Sequence, residues 1–197
     1  MTVIIGIAQD GLATLAGDSA ETDWRGNQVL IAEEKVFRFG DVLVGTSGSP
    51  RVAQLIRFKM KAPELGDADP LAYLVKDFIP KVRKCLAENS KHSANKSESE
   101  VDGVLLVGCR GRVFEIDSYL SVSEPIWGYA AIGIGAPVAL GALYATRHLE
   151  NVPRRIELAM EAAERHRIGV MRPFVSITES RADQPEPAPE RELVSTR

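Results

Sequence analysis

The chain has 197 residues, with 24 Lys and Arg against 27 Asp and Glu and a net charge of −3. That length supports one domain with a sizeable core, and the charge gives no general attraction to nucleic acid or acidic membranes. No apolar run reaches the roughly 18 residues of a membrane helix, and the N-terminus lacks a charged-then-apolar signal pattern, so a cytoplasmic protein is expected.

Val3 to Ala8 and Leu12 to Ala16 are short apolar runs around Asp10-Gly11, a strong hairpin signal. The sheet therefore starts almost at the first residue. If Met1 is removed, Thr2 becomes an N-terminal threonine at the head of a core strand, and threonine is small enough for that removal. Its hydroxyl and α-amine then lie within one residue of each other. A free amine titrating near neutrality is a base for such a hydroxyl.

Glu21 to Gln28 is polar and turns at Gly26-Asn27, and Val29 to Ala32 and Lys35 to Phe39 are strand-like. Gly40-Asp41 turns the chain into Val42 to Val44, and Gly45 to Gly48 reads as a small-residue loop. Ser49-Pro50 is an N-cap followed by proline at the first helical position, for a helix to about Lys61. Asp69-Pro70 repeats the signal for a helix to about Asn89, which Pro80 should kink or split. Ser90 to Glu100 reads as an exposed polar loop.

Val104 to Cys109 and Arg112 to Ile116 form a second hairpin across Arg110-Gly111. Tyr129 to Ile134 is a strand, Pro137 to Leu149 and Pro153 to Arg167 are helices, and Pro173 to Thr178 is a last strand. One domain over 1–178 is expected, and the polar, proline-rich 179–197 reads as a disordered tail. Cys85 and Cys109 lack metal spacing and read as reduced thiols; His92, His148 and His166 form no metal-ligand spacing. Strand runs separated by helix pairs predict an α+β protein, a four-layer α-β-β-α sandwich with two stacked antiparallel sheets.

Thr2-Val3-Ile4-Ile5-Gly6-Ile7, Gly11, Ala16-Gly17-Asp18-Ser19, Lys35-Val36, Gly45 and Ala131-Ile132-Gly133-Ile134-Gly135 together resemble proteasome β-type subunits. Within that group the sequence is most similar to the bacterial HslV-type threonine peptidases. The resemblance covers Thr2 to about Thr178 and implies an N-terminal-nucleophile hydrolase with the sandwich described. It implies Thr2 as nucleophile, Lys35 as an ammonium beside its hydroxyl, and Asp18 as the anchor of that lysine. By the same carry-over Gly45 gives the oxyanion a backbone N–H, and Thr22 and Ser47 bind substrate.

The resemblance further implies self-association into stacked rings of six or seven subunits, no required cofactor, and room for a structural monovalent cation. ATP would enter only through a separate AAA+ unfoldase ATPase, since this chain has no phosphate-binding loop. Unfolded protein or peptide would be the substrate.

Three features depart from the pattern. Lys35 to Gly45 is shorter by two residues, which preserves hairpin register. Ile134 and Ala136 occupy the positions where the family has a serine that serves the α-amine. His166 stands where it has an aspartate. The departures keep two alternatives open beside the peptidase: a ring-building subunit with impaired catalysis, and a small-molecule amidase on the same fold.

Overall fold

The computed structural model describes residues 1–23, 25–89 and 101–180. The expected loop at Ser90 to Glu100 and the tail beyond Ser180 lie outside the described residues.

The chain opens with strands β1 (Ile4–Gln9) and β2 (Leu12–Gly17), then β3 (Ala20–Thr22), β4 (Gln28–Leu30), β5 (Val36–Phe39) and β6 (Val42–Gly48). Helix α1 (Pro50–Phe58) follows, then α2 (Pro70–Tyr73), a π-helical turn at Leu74–Phe78, and α3 (Ile79–Asn89). Strands β7 (Gly103–Cys109), β8 (Arg112–Ile116), β9 (Val122–Ser123) and β10 (Tyr129–Ile132) lead to α4 (Ala136–Ala145), α5 (Val152–His166) and β11 (Val175–Thr178). One sheet has the order β10-β1-β2-β11, the other β5-β6-β7-β8-β9, and β3 pairs with β4 in a small third sheet. The pairings are antiparallel.

Four layers need three cores, and three are present. Phe37, Val44, Val107 and Phe114 face the first helices, packing against Val52, Ile56, Tyr73, Phe78 and Val82. Ile4, Leu15, Val36, Leu43, Leu106 and Val113 fill the space between the two sheets. Val3, Ile5, Ile7 and Ala16 pack under α4 and α5, against Ala139, Leu143, Ile156 and Met160. Strand β1 thus sends Ile5 and Ile7 to the helices and Ile4 to the other sheet. Both faces are buried, so its sequence is apolar without alternation.

Three local expectations change. Strand β6 continues through Gly48, because β7 pairs with it as far as Gly48 opposite Gly103. The interruption expected at Pro80 falls one turn earlier, where a π turn at Leu74–Phe78 separates α2 from α3. The Pro80 ring crowds the carbonyl four residues back, and that wider turn sits where the crowding falls. Glu179 belongs to the domain rather than to a tail: it is buried, and its carboxylate accepts N–H groups from Ala13 at 2.9 Å and Gly111 at 2.7 Å. Those donors sit beside the hairpin turns of the two sheets, so Glu179 clips the sheets together at the end remote from Thr2.

Cys85 and Cys109 are free and buried, and burial pushes the Cys109 thiol up to about 12. No helix among the described residues is long and apolar enough to cross a membrane.

Candidate active site

Thr2 lies two residues before β1, Asp18 follows β2, and Lys35 precedes β5. The β1–β2 register puts Ile4 opposite Gly17, so Val3 and Asp18 meet one step further out. The Val3 N–H donates to Asp18 Oδ1 at 3.0 Å, and the Ala20 N–H donates to Asp18 Oδ2 at 3.0 Å. Both carboxylate oxygens are thereby fixed by backbone, and the Asp18 side chain is fully buried.

Lys35 reaches this carboxylate from the other sheet. Its Nζ lies 2.9 Å from Asp18 Oδ1 and 2.8 Å from Thr2 Oγ1, and it also donates to the Ala20 carbonyl. With the Met1 carbonyl at 3.4 Å as well, four acceptors surround the ammonium and fix it. Burial pushes the Lys35 pKa below its ordinary value, against the attraction of Asp18, which raises it.

Met1 is attached here, and the Thr2 hydroxyl donates to the Met1 carbonyl at 2.7 Å. Its proton is therefore committed to the preceding residue, while its oxygen accepts from Lys35. On the other side, the Gly135 N–H donates to the Thr2 carbonyl at 3.2 Å. Gly133, at φ +92°, passes so close that a Cβ would stand 2.3 Å from that carbonyl oxygen. Only glycine fits there.

A cleft of about 290 Å³ opens beside Thr2, bounded by Ala20, Thr22, Ile31, Phe37, Thr46 and Gly48 among others. Thr22 lines it, with a hydroxyl that is buried and has no hydrogen-bond partner among the described residues.

Gly45 and Ser47 stand elsewhere. The Thr46 N–H donates to the Lys35 carbonyl at 3.1 Å. Backbone groups alternate along a strand, so the Gly45 N–H points the other way, into the β7 ladder opposite Leu106. Gly45 is glycine because a Cβ would sit 2.6 Å from Ile4 Cγ2. Ser47 shares that inward face; its Oγ lies beside Gly133, 2.9 Å from where a Cβ would be.

The same alternation turns Gly48 toward the β5 side, past the end of β5 and over the cleft, at φ +111°. A glycine that ends a small-residue stretch after Gly45 was the only signal of this in the sequence. Ile134 is 47% exposed and Ala136 opens α4; neither side chain can donate a hydrogen bond. His166, the last residue of α5, is exposed. Among the described residues no cluster of His, Cys, Asp and Glu could hold a metal ion.

No family model matches the chain, and no curated protein matches its sequence. Solved structures do match. The BPH protein of Thiobacillus denitrificans, in complex with epoxomicin, superposes with a TM-score of 0.69 at 22% identity, over 90% of this chain and 97% of that one. HslV of Trypanosoma brucei gives 0.64 at 21%, over 90% and 98%. Anbu of Pseudomonas aeruginosa, solved as a helical assembly, gives 0.67 at 16%, over 90% and 80%. The chain therefore has the proteasome-like N-terminal-nucleophile fold that its sequence led us to expect.

Proposed function

We propose that this chain is a threonine-type endopeptidase subunit that cleaves peptide bonds with Thr2 after Met1 is removed. The observation that carries the reading is the 2.8 Å contact between Lys35 Nζ and Thr2 Oγ1, with the same ammonium held by buried Asp18. A fixed cation at a hydroxyl favours its alkoxide. Removing Met1 frees the hydroxyl proton and exposes an α-amine, a group that ordinarily titrates at about 7.7–8.0 and can take that proton.

The Thr2 oxygen attacks the carbonyl carbon of a peptide bond, and the protonated amine passes its proton to the leaving nitrogen. Water then releases the acyl group from Thr2. The Gly48 N–H replaces Gly45 in our reading as donor to the tetrahedral oxyanion, since it faces the cleft. One such donor is worth about 2.7–4 kcal/mol.

A second reading is a ring-building subunit of low activity. It draws on Ile134 and Ala136, which offer the amine no side-chain donor, and on the exposed position of His166. Intact-mass measurement and hydrolysis of short fluorogenic peptides decide between the two. The peptidase reading requires a mass lacking Met1 and turnover that Thr2→Ala abolishes; a retained Met1 or turnover unaffected by Thr2→Ala overturns it.

Self-association into stacked rings, six- or seven-fold, is part of the proposal. It is supported by large apolar side chains left in solvent, Ile126 at 89% and Trp127 at 75% exposure. A monomer in analytical ultracentrifugation at micromolar concentration would refute it. We also assign the chain a separate AAA+ unfoldase partner; ATP-independent degradation of a stably folded substrate by the pure protein would argue against one.

A further inference from the structure

We propose that the cleft beside Thr2 selects peptides carrying a lysine or arginine on the N-terminal side of the bond that is cut; this rests on the peptidase reading above. A side chain placed there has its backbone at Thr2 and its tip directed into the cleft. Part of the lining is apolar, including Ala20, Ile31, Phe37 and Ala53. They suit a methylene stem.

The charged groups around that apolar floor are uneven. Glu21, Glu33 and Glu34 all line the cleft and are all exposed. Glu21 lies near enough to Lys35 to stabilise its charge. The cations of the cleft are Lys35, already neutralised by Asp18 at 2.9 Å, and Arg57. The Arg57 guanidinium rests over the Phe37 ring at 5.3 Å and the Phe58 ring at 5.6 Å, so it closes one wall as a stacked plane. Once Met1 is removed the Thr2 α-amine also borders the cleft, so three carboxylates stand against Arg57 and that amine, and the cleft stays net negative. A cationic tip meets attraction from three groups and an anionic tip meets attraction from two.

Each exposed charge pair is weak, so the preference comes from the set, and salt screens it. The test is kcat/KM for a peptide series differing only at that position, Lys, Arg, Leu or Glu, in 20 mM and 500 mM NaCl. Lys and Arg should exceed Glu by about fivefold or more at low salt, with the gap shrinking at high salt. Glu33→Gln with Glu34→Gln should collapse the ratio, and Arg57→Gln should widen it.

A parallel arm measures binding of fluorescein-labelled Lys and Glu peptides to Thr2→Ala protein, which lacks the nucleophile. Tighter binding of the Lys peptide supports the proposal even if no peptide is cut, in which case only the peptidase reading fails. Equal or better cleavage and binding of the Glu or Leu peptides overturns the specificity and leaves the nucleophile assignment standing.

Discussion

Asp18 follows a strand of one sheet and Lys35 precedes a strand of the other, and their 2.9 Å ion pair ties the two together beside Thr2, with the Asp18 side chain wholly buried and that of Lys35 10% exposed. Removing one partner leaves the other as a buried charge, a change that costs about 3–5 kcal/mol in such pairs. Lys35→Ala is therefore expected to lose both activity and stability. Thr2→Ala removes one hydroxyl and one methyl from a residue outside the strand ladder, so activity should vanish while stability shifts by only about 1 kcal/mol. Urea unfolding beside peptide hydrolysis, at equal protein concentration, separates the two effects. A Lys35→Ala protein as stable as the parent would show that the pair is not the junction described.

The depressed Lys35 pKa has a sign that can be followed through pH. Burial favours the neutral amine in the folded protein, so the unfolded chain holds more protons between the folded value and the ordinary 10.5. Over that alkaline window this group makes stability rise with pH; below the folded value its contribution is constant. Activity should move the opposite way, falling as the ammonium loses the proton that favours the Thr2 alkoxide. Nitrogen NMR titration of Lys35 in Thr2→Ala protein should give a midpoint below 10.5. A midpoint at or above that value would contradict the burial-dominated site.

Most of the architecture was legible because each layer leaves a local mark: Asp10-Gly11 and Arg110-Gly111 for hairpins, Ser49-Pro50 and Asp69-Pro70 for helix starts. Thr2, Asp18 and Lys35 were legible through the resemblance, and the structure brings them within hydrogen-bonding distance. Gly45 and Ser47 were misplaced because the direction of a backbone N–H depends on strand parity. Parity becomes visible only once Thr46 is seen bonding Lys35. The part played by Glu179 was hidden for another reason. Its partners are backbone N–H groups of Ala13 and Gly111, which carry no sequence signature, and the polar residues after it resemble a tail.

Glu179 supplies a prediction that leaves the site alone. One carboxylate oxygen serves two N–H groups, so Glu179→Ala strands the buried Ala13 donor at a cost of about 1–3 kcal/mol, and the half-buried Gly111 donor at a smaller one. Glu179→Gln keeps an acceptor oxygen and should recover part of the loss. Thermal unfolding should fall in the order parent, Glu179→Gln, Glu179→Ala, with peptide turnover of the folded fraction unchanged. Equal melting temperatures in all three would remove the clip between the sheets.

Gly45 and Gly48 are told apart by what each lacks a side chain for. A Cβ on Gly45 would press on Ile4 Cγ2 at 2.6 Å inside the inter-sheet core, an overpacking worth about 1–3 kcal/mol. Gly45→Ala should therefore destabilise the fold, and the penalty should shrink in an Ile4→Ala background, where Cγ2 is gone. The two changes touch one another, so their free energies should fail to add, in the compensating direction. Activity per folded molecule should survive in the Gly45→Ala/Ile4→Ala protein, because the Gly45 N–H belongs to the β7 ladder. If instead that protein folds cooperatively yet loses turnover by about two orders of magnitude, the loss has the size of a missing oxyanion donor. Gly45 would then hold the role now given to Gly48.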